Sequence, residues 1–151
     1  INNYPRTIKE IATIFYLDNT SATRGCKNAI SIINDSEFDF NNEDKTLLCN
    51  TTPLSFIERY CSKLNINHEL TKLCSFIAIR LVKNNLIPEN TPHSIAAGIV
   101  YFVSQECNLN VSKQNINAIS GISEVTINKC YKKLLTMKDV LIPKVILEKY
   151  K

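Results

Sequence analysis

Nowhere in this chain do about 18 apolar residues run together, which excludes a bilayer-spanning helix. The visible start lacks the charged, then apolar, then small-residue order of a signal peptide. Histidine is scarce: His68 and His93 are the only two, and the six cysteines (Cys26, Cys49, Cys61, Cys74, Cys107 and Cys130) include no C-x-x-C pair. A zinc site is therefore not expected within these residues. Both the phosphate-cradling G-x-x-x-x-G-K loop and the G-x-S-x-G nucleophile elbow are missing. His93 falls in the first turn of a predicted helix, where a structural role is ordinary, so the chain does not read as an enzyme.

What is present points to a helical protein with one basic end. The 151 residues, 44% of them hydrophobic, suffice for one complete small helical domain plus part of another. A start at Ile1 rather than Met reads as a fragment of something longer. Net charge is only +4, but it is unevenly spread. Asp35, Glu37, Asp39, Glu43 and Asp44 gather in one stretch, whereas Lys113, Lys129, Lys132, Lys133, Lys138, Lys144, Lys149 and Lys151 load the C-terminal third. A polyanion would be drawn to that end.

The clearest period is that of a helix from Asn67 to Ile87, where Leu70, Leu73, Cys74, Ile77, Ala78, Leu81 and Val82 recur on one face. Before it, Thr52-Pro53 marks the start of a shorter helix with Ile57, Tyr60, Cys61 and Leu64 as its stripe. Thr91-Pro92 repeats that start signal. The run from Ile95 to Val103 is apolar nearly all round, which predicts a central helix packed on most sides. Four cysteines (Cys26, Cys61, Cys74 and Cys130) fall on apolar stripes, where a free thiol packs as a small hydrophobe and suits a reducing compartment.

Two short helices come next, from about Ser112 to Ser120 and from Ser123 to Thr136. Gly121 between them suits a left-handed turn position, and Ser123 can cap the second helix. Ile127, Cys130, Tyr131 and Leu134 form its buried stripe, leaving Glu124, Val125, Asn128, Lys129, Lys132 and Lys133 outside. That is a helix-turn-helix with a polar, basic outer face. A weaker echo occurs near the start: Ile11 lies fifteen positions before Cys26, as Ile116 lies fourteen before Cys130. The parallel suggests a duplication with a period of about 104 residues, its first copy incomplete and residues 35–51 an acidic, Asn-rich linker.

The stretch Thr91-Pro-His-Ser-Ile-Ala-Ala-Gly-Ile-Val-Tyr101, together with Ile116-Asn-Ala-Ile-Ser-Gly-Ile-Ser-Glu-Val-Thr-Ile-Asn-Lys-Cys-Tyr131, resembles the second cyclin-like repeat of the transcription factor IIB family. Arg6-Thr-Ile-Lys-Glu-Ile-Ala12 likewise resembles the penultimate helix of that family's first repeat, with the last helix near Thr20 to Asn34. The resemblance implies an all-α chain: the C-terminal part of a first cyclin-like repeat (1–34), a linker (35–51), a complete five-helix second repeat (52–137) and a tail (138–151). It also implies an N-terminal zinc ribbon outside these residues, and no cofactor within them.

By resemblance the partners are promoter DNA, TATA-binding protein and RNA polymerase, bound by a monomer in the nucleus, or in a viral factory or virion if the source is a large DNA virus. Side chains early in a recognition helix reach base edges, which nominates Val125, Thr126, Asn128 and Lys129. Val125 matches the family's apolar base contact, whereas Asn128 stands where many relatives carry a guanine-reading arginine. Asparagine pairs best with adenine, so the expected preference is for an A-containing upstream element or for little base preference there. Lys113, Lys129, Lys132 and Lys133 are the candidate phosphate contacts. Arg6, Lys9, Arg24 and Lys27 match the surface that faces TATA-binding protein. A cyclin that regulates a kinase shares the fold and is the alternative reading, against which the basic recognition-type helix speaks.

Overall fold

A computed structural model describes residues 5–37 and 51–150. Cys49, Lys151 and most of the acidic linker, Asp39, Glu43 and Asp44 included, lie outside them. The described residues are helical without strands, and they fall into two compact units, one up to residue 50 and the other from Thr51. No described helix is long and apolar enough to cross a membrane.

The first unit holds α1 (Ile8–Ile14) and α2 (Asn19–Ser36), which pack on each other. In the second unit, α3 (Leu54–Lys63), α4 (His68–Lys83), α5 (Pro92–Glu106), α6 (Lys113–Ser120) and α7 (Glu124–Leu135) form the five-helix body expected of a cyclin-like repeat. Two shorter helices complete it, α8 (Lys138–Leu141) and α9 (Lys144–Lys149).

Helix α5 is the centre because its sequence offers no polar side to water. Every residue from Ser94 to Ser104 is buried, and α3, α4, α6 and α7 all pack against it. The polar Ser104 is tolerated there because its hydroxyl donates to the Val100 carbonyl at 2.7 Å. Helix α4 buries Leu70, Leu73, Cys74, Ile77, Ala78 and Leu81 against it, and the Asn67 side chain caps its start by accepting from the Leu70 amide at 2.9 Å. Val82, expected on that stripe, is 53% exposed. One residue beyond Leu81 is a rotation of about 100°, which carries it off the buried arc.

The two Thr-Pro starts behave differently from a side-chain cap. Neither Thr52 nor Thr91 caps a backbone amide; the Thr91 hydroxyl instead shares a hydrogen bond with Ser94 Oγ at 2.8 Å. Pro53 already has helical backbone angles, so the chain turns helical where the signal puts it, one residue before the hydrogen-bonded helix begins at Leu54. Cys61, Cys74, Cys107 and Cys130 are buried, whereas Cys26 is only partly so. Burial pushes the Cys107 and Cys130 thiols up, which keeps them protonated and unreactive.

The segment after residue 137, legible in the sequence only as a tail, packs on the core. Leu141 and Ile142 are each 1% exposed, and Ile146, Leu147 and Tyr150 cover neighbouring core residues. Polar contacts hold it down along its length: Arg80 Nη1 donates to the Val140 carbonyl at 2.6 Å, and Lys138 pairs with Glu106. At its far end Lys149 and the Tyr150 hydroxyl both reach Glu69 Oε2 at 2.7 Å, Asn67 Nδ2 donates to that hydroxyl at 3.0 Å, and Asn108 Nδ2 reaches the Tyr150 carbonyl at 3.1 Å. The contact with Lys149 holds the Glu69 carboxyl below its usual range.

Candidate nucleic-acid interface

The helix-turn-helix is built from local signals and then locked from outside. Ser112 opens α6 with a reciprocal cap: its hydroxyl accepts from the Asn115 amide at 3.1 Å, while Asn115 Oδ1 accepts from the Ser112 amide at 2.8 Å. The turn passes through Gly121 at φ 69° and ψ 8°, the left-handed region, and its amide donates to the Asn117 carbonyl at 2.8 Å. Two side chains of α6 tie down Ile122, the residue after the turn glycine. Asn117 Nδ2 donates to the Ile122 carbonyl at 2.7 Å, and Ser120 Oγ accepts from the Ile122 amide at 3.1 Å. Ile122 is thereby pushed into the core, 8% exposed, and Ser123 caps α7 by accepting from the Thr126 amide at 3.3 Å.

Gly121→Ala is expected to destabilise the protein by about 1 to 2 kcal/mol, since an L side chain is disfavoured at this backbone angle. Urea unfolding at unchanged m-value checks it.

On its inner side α7 buries Ile127, Cys130 and Leu134. Tyr131 is half-buried, edge-on to Tyr101 with ring centroids 5.2 Å apart, and its hydroxyl reaches Glu106 at 3.4 Å. Cys130 lies against Gly98 of α5 so closely that a Cβ built on Gly98 would stand 2.4 Å from Cys130 Cβ. No room exists there for any larger residue.

The outer side carries the candidate contacts. Val125 is 65% exposed in the first turn, Lys129 and Lys132 are on the surface, and Thr126 and Asn128 stand beside them. The Thr126 hydroxyl is shared with Ser123 Oγ at 2.9 Å. Neither Lys129 nor Lys132 makes an ion pair among the described residues. Lys113 has its amine 5.8 Å from the centre of the Tyr101 ring, a cation-π arrangement. Lys133 is committed inside the molecule, paired with Glu89 and donating to Asn90 Oδ1 at 3.3 Å.

The helix pair of the first unit repeats this local plan. Thr7 and Glu10 form a reciprocal cap at the start of α1, and Asp18 caps α2 by accepting from the amides of Thr20 and Ser21 at 2.9 Å each. The caps Thr7 and Asp18 are eleven residues apart, as are Ser112 and Ser123. Tyr16, at φ 54°, takes the left-handed position that Gly121 takes 105 residues later. Ala22 and Ile127, also 105 apart, are both buried. The register is therefore 105 throughout, and it corrects the alignment of Cys26 with Cys130: Gly25 corresponds to Cys130, and Cys26 to Tyr131. Caps and turn angle set the register, whereas matching cysteines by type slips it by one.

Within this first pair Arg24 and Lys27 line an open groove with Asn19, Thr20 and Thr23. Lys9 is exposed on α1, and Arg6 pairs with Glu10 at 3.5 Å. Sequence reasoning did not single out Asn117, Ser120, Glu89 or Asn90. The first two were findable, since a side-chain amide and a hydroxyl just before a turn glycine are common turn ties; the last two depend on a contact 40 or more residues away.

Residues 47–137 match the family model described as the transcription factor TFIIB repeat. Among curated proteins, the chain is similar to a putative transcription initiation factor IIB-like protein of Acanthamoeba polyphaga mimivirus, 33% identical over 147 residues, which is 94% of this chain and 30% of that protein. It is also similar to transcription initiation factor IIB of Drosophila virilis, 26% identical over 139 residues, 92% of this chain and 44% of that protein. With the factor of Encephalitozoon cuniculi it shares 32% identity over 99 residues, 63% of this chain and 31% of that one. The chain thus spans 30 to 44% of the length of these relatives.

Proposed function

The chain belongs to the transcription factor IIB family, and on that premise we propose that it is the core of a general transcription initiation factor that binds promoter DNA together with TATA-binding protein and helps recruit RNA polymerase. The observation that carries this reading is the outer face of α7. Val125 projects from the first turn of a recognition-type helix, and the amines of Lys129 and Lys132, without an ion pair among the described residues, stand behind it. The turn before it is tied at both carbonyl and amide of Ile122, so the helix is presented rigidly. Such a face suits insertion into a major groove, with apolar and amide groups at base edges and lysines at the backbone. Nothing in the fold or in the relatives favours the kinase-regulating alternative.

In this reading α1 and α2 are the last two helices of a first cyclin-like repeat (1–34), joined by the acidic linker (35–51) to the second repeat (52–137). Arg24 and Lys27, with Arg6 and Lys9, face acidic residues of TATA-binding protein. Val125, Thr126 and Asn128 meet bases, and Lys113, Lys129, Lys132 and Lys133 meet phosphates. A zinc ribbon belongs to the remainder of the protein, and the site of action is the nucleus or a viral factory. Asn128 favours adenine, so selection from a library of upstream sequences should enrich an A-containing element; enrichment of a G-containing one refutes that assignment.

The direct test is an electrophoretic shift of a TATA-containing duplex by TATA-binding protein, with and without this chain. A supershift is expected, and its absence at low salt overturns the reading. Replacing both Lys129 and Lys132 by alanine should weaken duplex binding and reduce the slope of log K against log salt by about 2, close to one unit per lost phosphate contact.

A further inference from the structure

We propose that Lys133, oriented by Asn90, forms a binding site for a backbone phosphate of the bound duplex, and that the Glu89 carboxylate occupies this site in the free protein. This rests on the DNA-binding reading above. Lys133 lies one helical turn beyond Lys129 on α7, in line with the outer face, yet its amine is turned to the loop between α4 and α5. That loop does not depend on Glu89 for its place. Asn90 docks it, donating through Nδ2 to Cys130 Sγ at 3.3 Å while its Oδ1 accepts from Lys133 at the same distance, and its amide reaches the Ile87 carbonyl at 3.4 Å.

Glu89 is the displaceable member of the cluster. Its side chain is 62% exposed and that of Lys133 is 40% exposed. The other long-range ion pairs made by lysines of the C-terminal third are built differently. Glu106, opposite Lys138, is only 9% exposed and is also reached by the Tyr131 hydroxyl; Glu69, opposite Lys149, is also bound by the Tyr150 hydroxyl. Both of those pairs tie down the C-terminal segment. Among the described residues the pair at Lys133 has no hydroxyl partner, and it ties down nothing that Asn90 does not already hold. Exposed pairs of this kind are weak and salt-screened, whereas a duplex offers a dense row of anionic oxygens to the same amine.

An internal counterion leaves a signature in the salt dependence. When a phosphate replaces Glu89, the cation on that phosphate is released, but a carboxylate is uncovered beside the duplex and must gather one back. Lys133 then adds little to the salt slope of the native protein. Glu89→Gln removes the competitor, so duplex affinity should rise several-fold and the slope should steepen by about 0.9, one phosphate contact. The gain should require Lys133.

The experiment is a fluorescence-anisotropy titration of a TATA-containing duplex already saturated with TATA-binding protein, from about 50 to about 200 mM salt. It compares the full chain with Glu89→Gln, Lys133→Ala and the double variant, with Lys129→Ala/Lys132→Ala as the control. The expected result is a gain in affinity and slope for Glu89→Gln that disappears in the double variant. A gain that persists without Lys133 means simple relief of repulsion and overturns the proposal. An unchanged affinity and slope for Glu89→Gln also overturns it, and the DNA-binding reading stands if the Lys129/Lys132 control still weakens binding. If the native chain and every variant fail to bind, the DNA-binding reading fails and takes the proposal with it.

Discussion

Gly98→Ala is expected to lower stability by about 1 to 3 kcal/mol, although alanine in place of glycine inside a helix ordinarily stabilises by about 1 kcal/mol. The sign reverses because the added Cβ would stand 2.4 Å from Cys130 Cβ, a backbone-attached atom with no rotamer to escape into. Helices α5 and α7 would have to part, and α5 is packed by α3, α4 and α6 as well, so the strain spreads through the core. The cause can be isolated. Cys130→Ala keeps the offending Cβ and should not restore stability to Gly98→Ala, whereas Cys130→Gly should recover part of the loss. A double-mutant cycle read by urea unfolding therefore shows coupling for the glycine and almost none for the alanine. Equal coupling for both would place the clash elsewhere. Because α7 carries the outer face, the Gly98 variants should also bind duplex more weakly than their folded fraction predicts.

What the sequence made legible was whatever is local. Capping residues, the turn glycine and the run of apolar residues from Ile95 to Val103 each act within one or two turns, and α5, α6 and α7 lie where those signals put them. The face of α7 was readable for the same reason, since burial of Ile127, Cys130 and Leu134 follows from helical spacing. What stayed hidden was tertiary. The commitment of Lys133 to Glu89 spans 44 residues and that of Lys149 to Glu69 spans 80, and no pattern in the chain announces either. Two candidate phosphate contacts of one type therefore turn out unequal: Lys129 makes no ion pair among the described residues, and Lys133 already has an anion. The register of the two helix pairs was missed by one residue because a shared cysteine is chemically conspicuous, whereas caps and a left-handed residue are what the backbone repeats.

The packing of the C-terminal segment is what the sequence showed least, and that segment carries the largest expected effect. With helices of four and six residues split by Pro143, it is too short for a periodic stripe to show. Yet deleting everything after Met137 removes Leu141 and Ile142, each 1% exposed. Full burial of such a side chain is worth about 1.5 to 3 kcal/mol, so the pair contributes about 3 to 6 kcal/mol before Ile146, Leu147 and Tyr150 are counted. A domain of this size has about 5 to 15 kcal/mol in all. The deletion should therefore abolish a cooperative thermal transition near room temperature or move it far down, and Leu141→Ala alone should cost about 2 to 5 kcal/mol. A truncated chain that unfolds at the native temperature would show the segment to be an appendage. The loss should also reach the outer face of α7, since Lys138 and Tyr131 meet on Glu106, and Tyr131 belongs to α7. In physical terms the compact unit that holds α3 to α7 does not end at α7: the strap from Lys138 to Tyr150 covers its core and braces α7 from behind.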